Sequence, residues 1–307
     1  MARVQILLST FNGENYIRQQ IESILNQSYP NIEILIRDDG SIDNTVSIIE
    51  SYINADITRK IKLIKGSNIG VVRSFFELLY EANQDVDYFC FCDQDDIWLP
   101  QKVETAVERL NGLNSRIPLM HFTPTYPSND MQQLKKVWPI IRRSPSFCNA
   151  IIENVAVGST ITFNLRTKNL IVSEDPDLNN IVMHDWWLYI IVSSLGKVVY
   201  SSAPSIVYRQ HTSNVIGADT SLFDKYKKKW SRFKRNRKKR YLYNQAYEFY
   251  KHYNHLLSTY EKLQLESFLR PRNTILDKLN FLFTNKFYRQ TTSENLMFRF
   301  LVLIGYI

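Results

Sequence analysis

The first hundred residues alternate between two hydrophobic periods. Residues 4–8, 32–36, 61–64 and 88–92 are short, largely apolar runs of strand length. Between them, apolar side chains recur three and four residues apart: Tyr16, Ile17, Ile21, Ile24 and Leu25, then Val46, Ile49 and Ile53, then Val72, Phe75, Phe76 and Leu79. That spacing sets one face of a helix against a core. Turns punctuate the pattern at Phe11-Asn12-Gly13-Glu14, Asp39-Gly40-Ser41 and Ser67-Asn68-Ile69-Gly70. The run at 88–92 is apolar throughout, as a strand covered on both faces requires. This βαβαβαβ order predicts an α/β fold, with a mainly parallel sheet, helices on both faces and right-handed crossovers. Ligands of such open sheets bind beyond the carboxyl ends of the strands, where the strand order reverses.

Past Leu99 the pattern is mixed. Val103, Val107 and Leu110 predict a helix, and residues 119–122 a strand. Residues 123–146 hold four prolines and read as a long loop over the sheet. Residues 157–163, 198–201 and 206–209 look like further strands, with a helix from Asp185 to about Leu195 between them. After Asp219 the character changes. Residues 222–262 read as helical, basic and aromatic, and Arg270-Pro271-Arg272-Asn273 separates them from more helix. The division expected is therefore a catalytic domain over 1–219 and a helical, basic, amphipathic C-terminal region over 220–307.

Composition sharpens this picture in three places. With 307 residues, 44% of them hydrophobic, the chain can bury a large core, which excludes disorder as its default. The net charge of +8 is concentrated: eleven Lys or Arg and no acid lie between Lys225 and Arg240, leaving the rest mildly acidic. Cys90, Cys92 and Cys148 offer no disulfide framework and read as small hydrophobes in a reduced compartment. No apolar stretch reaches the roughly 18 residues of a spanning helix, and residues 3–9 enter a strand directly, without a signal peptide. The expectation is a cytoplasmic protein, peripheral on the cytoplasmic face of the membrane. The basic segment, with Tyr226, Trp230 and Phe233 interleaved, and the apolar end at 296–304 suit an anionic membrane surface. A solvated helix or a homodimer interface remains open, and nucleic acid is disfavoured because no recognised nucleic-acid-binding fold accompanies the patch.

The chemistry concentrates where two apolar runs end, at Arg37-Asp38-Asp39-Gly40 and at Asp93-Gln94-Asp95-Asp96. Carboxylates this dense repel one another, so the pattern suits a site shared by a divalent cation, Mg²⁺ or Mn²⁺, and a phosphorylated ligand. Asp-Gly-Ser at 39–41 is also a common turn and helix cap. A carboxylate there can alternatively accept the N3–H of a uracil or thymine ring. Asp185, opening a helix, is either an N-cap or a catalytic base, and His211 is either structural or a metal ligand.

Three sets of residues carry a resemblance: Leu8-Ser9-Thr10-Phe11-Asn12-Gly13-Glu14, Arg37-Asp38-Asp39-Gly40-Ser41, and Cys92 through Pro100. Together they resemble the family 2 glycosyltransferases of the Rossmann-like GT-A fold. Gly158-Ser159-Thr160, Met183-His184-Asp185-Trp186-Trp187 and Tyr208-Arg209-Gln210-His211 are similar to the bacterial rhamnosyltransferase branch, so the match spans about residues 2–218. The resemblance implies an inverting, metal-dependent transferase moving a sugar, L-rhamnose from dTDP-rhamnose, to a lipid-linked precursor of a cell-surface polysaccharide. It places Thr10, Asn12, Glu14, Asp39, Arg73, Asp93 and Asp96 around the nucleotide sugar. Asp95 and His211 become metal ligands and Asp185 the base. Trp186 and Trp187 suit stacking on the sugar faces of an acceptor, with core packing the safer assignment for at least one of them. His121-Phe122-Thr123 departs from the family, where a small residue followed by Asp closes that strand. A UDP-hexose or UDP-galactofuranose donor is the alternative within the family. A non-catalytic membrane- or nucleic-acid-binding protein is the alternative outside it, and it leaves the three converging polar loops unexplained. A sugar nucleotidyltransferase would need a loop rich in Gly and Arg, and residues 10–14 hold one Gly and no Arg.

Overall fold

The computed structural model of the protein describes residues 1–55, 60–128, 136–210 and 240–307. The four apolar runs become β1 (Val4–Thr10), β2 (Ile32–Asp38), β3 (Ile61–Lys65) and β4 (Tyr88–Asp93), all mutually parallel. The helical repeats between them are α1 (Ile17–Leu25), α2 (Thr45–Asn54) and α3 (Val71–Glu81). Next come β5 (Ile97–Trp98), α4 (Lys102–Leu110), β6 (Leu119–Phe122), β7 (Tyr126–Ser128) and α5 (Phe147–Ala150). They are followed by β8 (Thr162–Asn164), α6 (Leu165–Val172), α7 (His184–Leu195), β9 (Lys197–Tyr200) and β10 (Ile206–Arg209).

Seven strands form one sheet in the order β3-β2-β1-β4-β8-β6-β9, with β8 running antiparallel to its neighbours. The chain leaves the centre in one direction through β2 and β3, then returns to place β4 on the other side of β1. This reversal puts the switch point between the carboxyl ends of β1 and β4. Successive strand residues face opposite ways, and both faces are buried. Ile6, Leu8, Ile34, Ile36, Cys90 and Cys92 pack with Ile17, Ile21 and Ile24 of α1. Leu7, Leu35, Phe89 and Phe91 pack with Phe75, Phe76 and Leu79 of α3 and Leu188 and Ile191 of α7. Double-sided burial explains why these strands read as continuous apolar runs. All three cysteines are free and buried.

Two sequence expectations change. The proline-rich stretch after Phe122 is not loop alone, because its β7 pairs with β10, which also pairs with β5, making a small three-stranded sheet. Residues 157–163 are not one strand. Gly158–Thr160 forms a single 3₁₀ turn, and pairing begins only at β8.

Among the described residues, four C-terminal helices follow: α8 (Tyr241–Tyr253), α9 (Thr259–Leu269), α10 (Ile275–Thr284) and α11 (Thr292–Leu303). The expected continuous helix to residue 262 is interrupted before Ser258, whose hydroxyl caps α9. The division expected at residue 219 and nearly all of the basic segment lie outside the described residues. α8 buries Leu242, Phe249 and Tyr253 in the same core as α7, with Phe249 and Tyr253 edge-on to Trp187. A polar clamp joins the α10–α11 connector to the body. Gln290 Oε1 accepts from the backbone N–H groups of Arg142 and Arg143, and its own N–H donates to Glu153 Oε2 at 2.8 Å. Asn149 Nδ2 donates to Glu153 and to the Tyr288 carbonyl, while Asn149 Oδ1 accepts from Tyr189 of α7. Among the described residues, no helix is long and apolar enough to cross a membrane.

At the α7–β9 junction an added Cβ on Gly196 would overlap the Pro118 carbonyl. Gly196→Ala should therefore destabilise the fold by about 1–3 kcal/mol, the usual cost of overpacking against backbone, read from urea unfolding midpoints.

Candidate active site

The strand register lays the site out. Thr10 at the end of β1 lies beside Asp38 at the end of β2, and Ser9 lies beside Asp93 at the end of β4. The loop after β2 is folded by its own carboxylates. Asp38 accepts from the Gly40 and Ser41 N–H groups and the Ser41 hydroxyl. The turn needs Gly40, at φ 85°, which passes close to the Asn68 backbone. Buried Asp39 accepts from Arg37 Nη1 at 2.6 Å and from the Ile69 and Gly70 N–H groups at 2.9 Å each. It therefore ties β2 to the entry of α3. A carboxylate offers about four acceptor positions, so one direction on Asp39 is left for a ligand.

Asn12 and Glu14 spend their side chains between loops. Asn12 Oδ1 accepts from Ile42 N–H, and Glu14 Oε2 accepts from the Asn44 N–H and side-chain amide. Gln94, which sequence reasoning passed over, does the same on the other side. Its Oε1 accepts from Thr10 Oγ1 at 2.6 Å and from Phe11 N–H, and its Nε2 donates to the Phe11 carbonyl. A glutamine between acids reads as filler in a sequence; here it closes the loop of β1 onto that of β4.

The acids do converge. Half-buried Asp93 is pushed up to about 7, first by burial and then by the negative charges of Asp95 and Asp185. Asp185, in the first turn of α7, is pushed up to about 6 by burial, against hydrogen bonds from Trp186 N–H, the Asn154 side chain and Gly158 N–H. Gly158 packs closely on this carboxylate: a Cβ there would stand 3.3 Å from Asp185 Oδ2. Asp96 is buried; its Oδ1 accepts from Arg209 N–H, and its Oδ2 has no partner among the described residues. Burial and the charges of Asp95 and Asp93 push it well above the usual carboxylate range. Arg209, on β10, steadies the cluster by donating Nε–H to the Asp95 carbonyl at 2.9 Å, with its guanidinium 5.0 Å from the Tyr16 ring. Beside Asp185, buried His184 stacks on Phe75 at 3.7 Å and is pushed down to about 3 by burial, so it packs as a neutral ring.

Arg73 is exposed and donates to Asn179. Trp187 is fully buried against Phe249 and Tyr253, and Trp186 is buried with its indole N–H on the Ala150 carbonyl at 2.6 Å. Of the two readings open for these residues, acceptor contact and core packing, the structure corrects the first, because both indoles are buried where α7 packs. His211 lies outside the described residues.

Among the described residues no three metal-ligating side chains form a complete cage. The acids nonetheless suit a hard cation. Asp93 and Asp95 present excess negative charge at one strand end, and Mg²⁺ or Mn²⁺ is commonly held by one or two carboxylates together with substrate phosphates. A proton on Asp93 and a cation at Asp95 should oppose one another, because the charge of Asp95 is among the causes that raise Asp93. Lowering the pH from about 8 to about 6 should weaken Mn²⁺ binding in a calorimetric titration, and Asp93→Asn should flatten that dependence.

With this geometry in place, comparison with known proteins is informative. The profile of Glycosyl transferase family 2 matches residues 5–164. The dTDP-rhamnosyl transferase RfbG of Shigella flexneri is 30% identical over 229 residues, covering 72% of this chain and 77% of that protein. An uncharacterised glycosyltransferase of Rickettsia typhi is 26% identical, covering 75% and 71% respectively. In three dimensions the chain is similar to residues 1–349 of TarS from S. aureus in complex with UDP-GlcNAc, with a TM-score of 0.60 at 15% identity, covering 99% of this chain and 79% of that one. It is also similar to the mannosyltransferase PcManGT of Pyrobaculum calidifontis in complex with GDP-Man and Mn²⁺, with a TM-score of 0.56 at 13% identity, covering 99% and 86%.

Proposed function

This chain belongs to glycosyl transferase family 2, and we propose that it moves L-rhamnose from dTDP-rhamnose, with inversion, onto a lipid-linked precursor of a cell-surface polysaccharide. It is a glycosyltransferase of the GT-A fold. The observation that carries the finer reading is the shared field of Asp93, Asp95 and Asp185, three acids from two distant stretches at the switch point. Similarity to the dTDP-rhamnosyl transferase supports the donor. Asp39 suits uracil as well as thymine, so a UDP-linked sugar is the second reading.

Asp185 is the base in this scheme. With a pKa raised to about 6, it is mostly ionised at neutral pH yet basic enough to take the acceptor hydroxyl proton as that oxygen attacks the anomeric carbon. The helix N-terminus and three hydrogen bonds keep its carboxylate oriented. Asp39 faces the pyrimidine, Asp93 and Asp96 lie towards ribose and sugar, and Thr10, Asn12 and Glu14 build the walls through the loop bonds they make. Mg²⁺ or Mn²⁺ at Asp95, when bound, supplies charge neutralisation for the departing diphosphate. A carrier-linked acceptor places the enzyme at the cytoplasmic face of the membrane, with residues 220–307 as its attachment.

Two substitutions separate the roles. Asp185→Asn should lower kcat by about 10²–10⁴-fold while leaving dTDP affinity unchanged, measured by nucleotide release and by calorimetry. Lost nucleotide affinity would instead make Asp185 a donor-site residue. Asp95→Ala should remove the metal-dependent part of donor binding. The sign of the pH effect follows from the base: activity should fall as the pH drops through about 6, because the protonated carboxyl accepts nothing. A panel of dTDP- and UDP-sugars in the same release assay decides the donor.

A further inference from the structure

The outer face of the C-terminal hairpin is apolar where water meets it. On α10 the inner side buries Phe281 and Leu282, while Leu276 is 74% and Phe283 82% exposed. On α11 the inner side buries Phe298 and Val302, while Leu296, Phe300 and Ile304 form an exposed stripe four residues apart. A soluble helix ordinarily keeps that side polar, and contiguous exposed apolar patches mark contact surfaces.

A small cationic pocket adjoins this stripe. Arg143, Tyr288, Thr292, Asn295, Phe298 and Arg299 line a cavity of about 180 Å³. That volume suits a phosphate group rather than a nucleotide sugar. Thr292, Asn295 and Arg299 lie along one side of α11, directly beside Leu296 and Phe300. Arg143 rests on the Tyr288 ring at 5.3 Å, and neither it nor Arg299 is paired with a carboxylate among the described residues. Residues 270–307 carry six Lys or Arg against two acids. A second copy of the same face would bring like charges together, whereas an anionic lipid surface complements them.

We propose that the α10–α11 hairpin docks onto an anionic bilayer, with Phe283, Leu276, Leu296 and Phe300 entering the acyl boundary and a phospholipid phosphate seated between Arg143 and Arg299. This rests on the membrane attachment proposed above and names the surface that makes it. Its chemistry is that of an interfacial amphipathic helix, with apolar side chains for depth and guanidinium groups at headgroup level.

The test is flotation of the full chain with phosphatidylcholine vesicles, with and without phosphatidylglycerol. The wild type should float with the anionic vesicles and detach at high salt. The triple variant F283S/L296S/F300S and the double variant R143Q/R299Q should each lower the bound-to-free ratio about tenfold. Both should retain the wild-type melting curve and nucleotide release with a soluble acceptor. Unchanged flotation of both variants would overturn the proposal and assign attachment elsewhere, such as the basic stretch between Lys225 and Arg240. A wild type that ignores anionic vesicles would overturn it too, as would one that self-associates through this face without binding lipid. Failure of the transferase reading would show as absent sugar transfer, whatever the vesicles report.

Discussion

Like charges crowded into a partly dry crevice are the constraint that the rest of this molecule is arranged around. Asp93, Asp95, Asp96 and Asp185 would separate if their backbones were free, and burial makes the charges of Asp93, Asp96 and Asp185 costlier still. The sheet prevents this by pinning strand ends in register, and the loops beyond are tied to one another rather than left to side-chain preference. Gln94 joins β4 to β1, Asn12 and Glu14 join β1 to the turn after β2, and Asp39 joins β2 to α3. Arg209 reaches across from the small sheet to hold the Asp95 carbonyl. The negative field held this way suits a divalent cation, whose charge offsets both the carboxylates and a phosphorylated ligand. The crevice is thus shaped largely by contacts between its own loops.

The central strands were legible because double-sided burial writes an unbroken apolar run, and the acids stood out because they end two such runs. What escaped had physical causes. Residues 157–163 have the composition of a strand, but Gly158–Thr160 makes a 3₁₀ turn where Gly158 packs against Asp185, a partner distant in sequence. Pairing of β7 with β10 joins segments about eighty residues apart, which no local period encodes. Trp186 and Trp187 resemble sugar platforms as residue types, yet α7 is buried almost all round and its aromatics fill space. Gln94 and His184 were invisible for the opposite reason: their roles lie in partners that only folding brings near.

The C-terminal helices extend the same logic outward. α8 shares its core with α7, so the element that opens with Asp185 is packed from both sides. The hairpin beyond it turns one side to the body and keeps the other apolar, so a single short element faces two environments.

Gln290 gives that arrangement a further meaning. Its backbone N–H is one of the few donors reaching Glu153, a carboxyl whose pKa burial raises to about 7, one residue before Asn154, whose side chain bonds Asp185. Removing the tail would take this donor from Glu153 and leave a buried acid poorer in partners, one residue from the Asn154 that supports Asp185. The clamp thus couples the C-terminal hairpin to the segment that leads into the acidic crevice, so the two hold their places together.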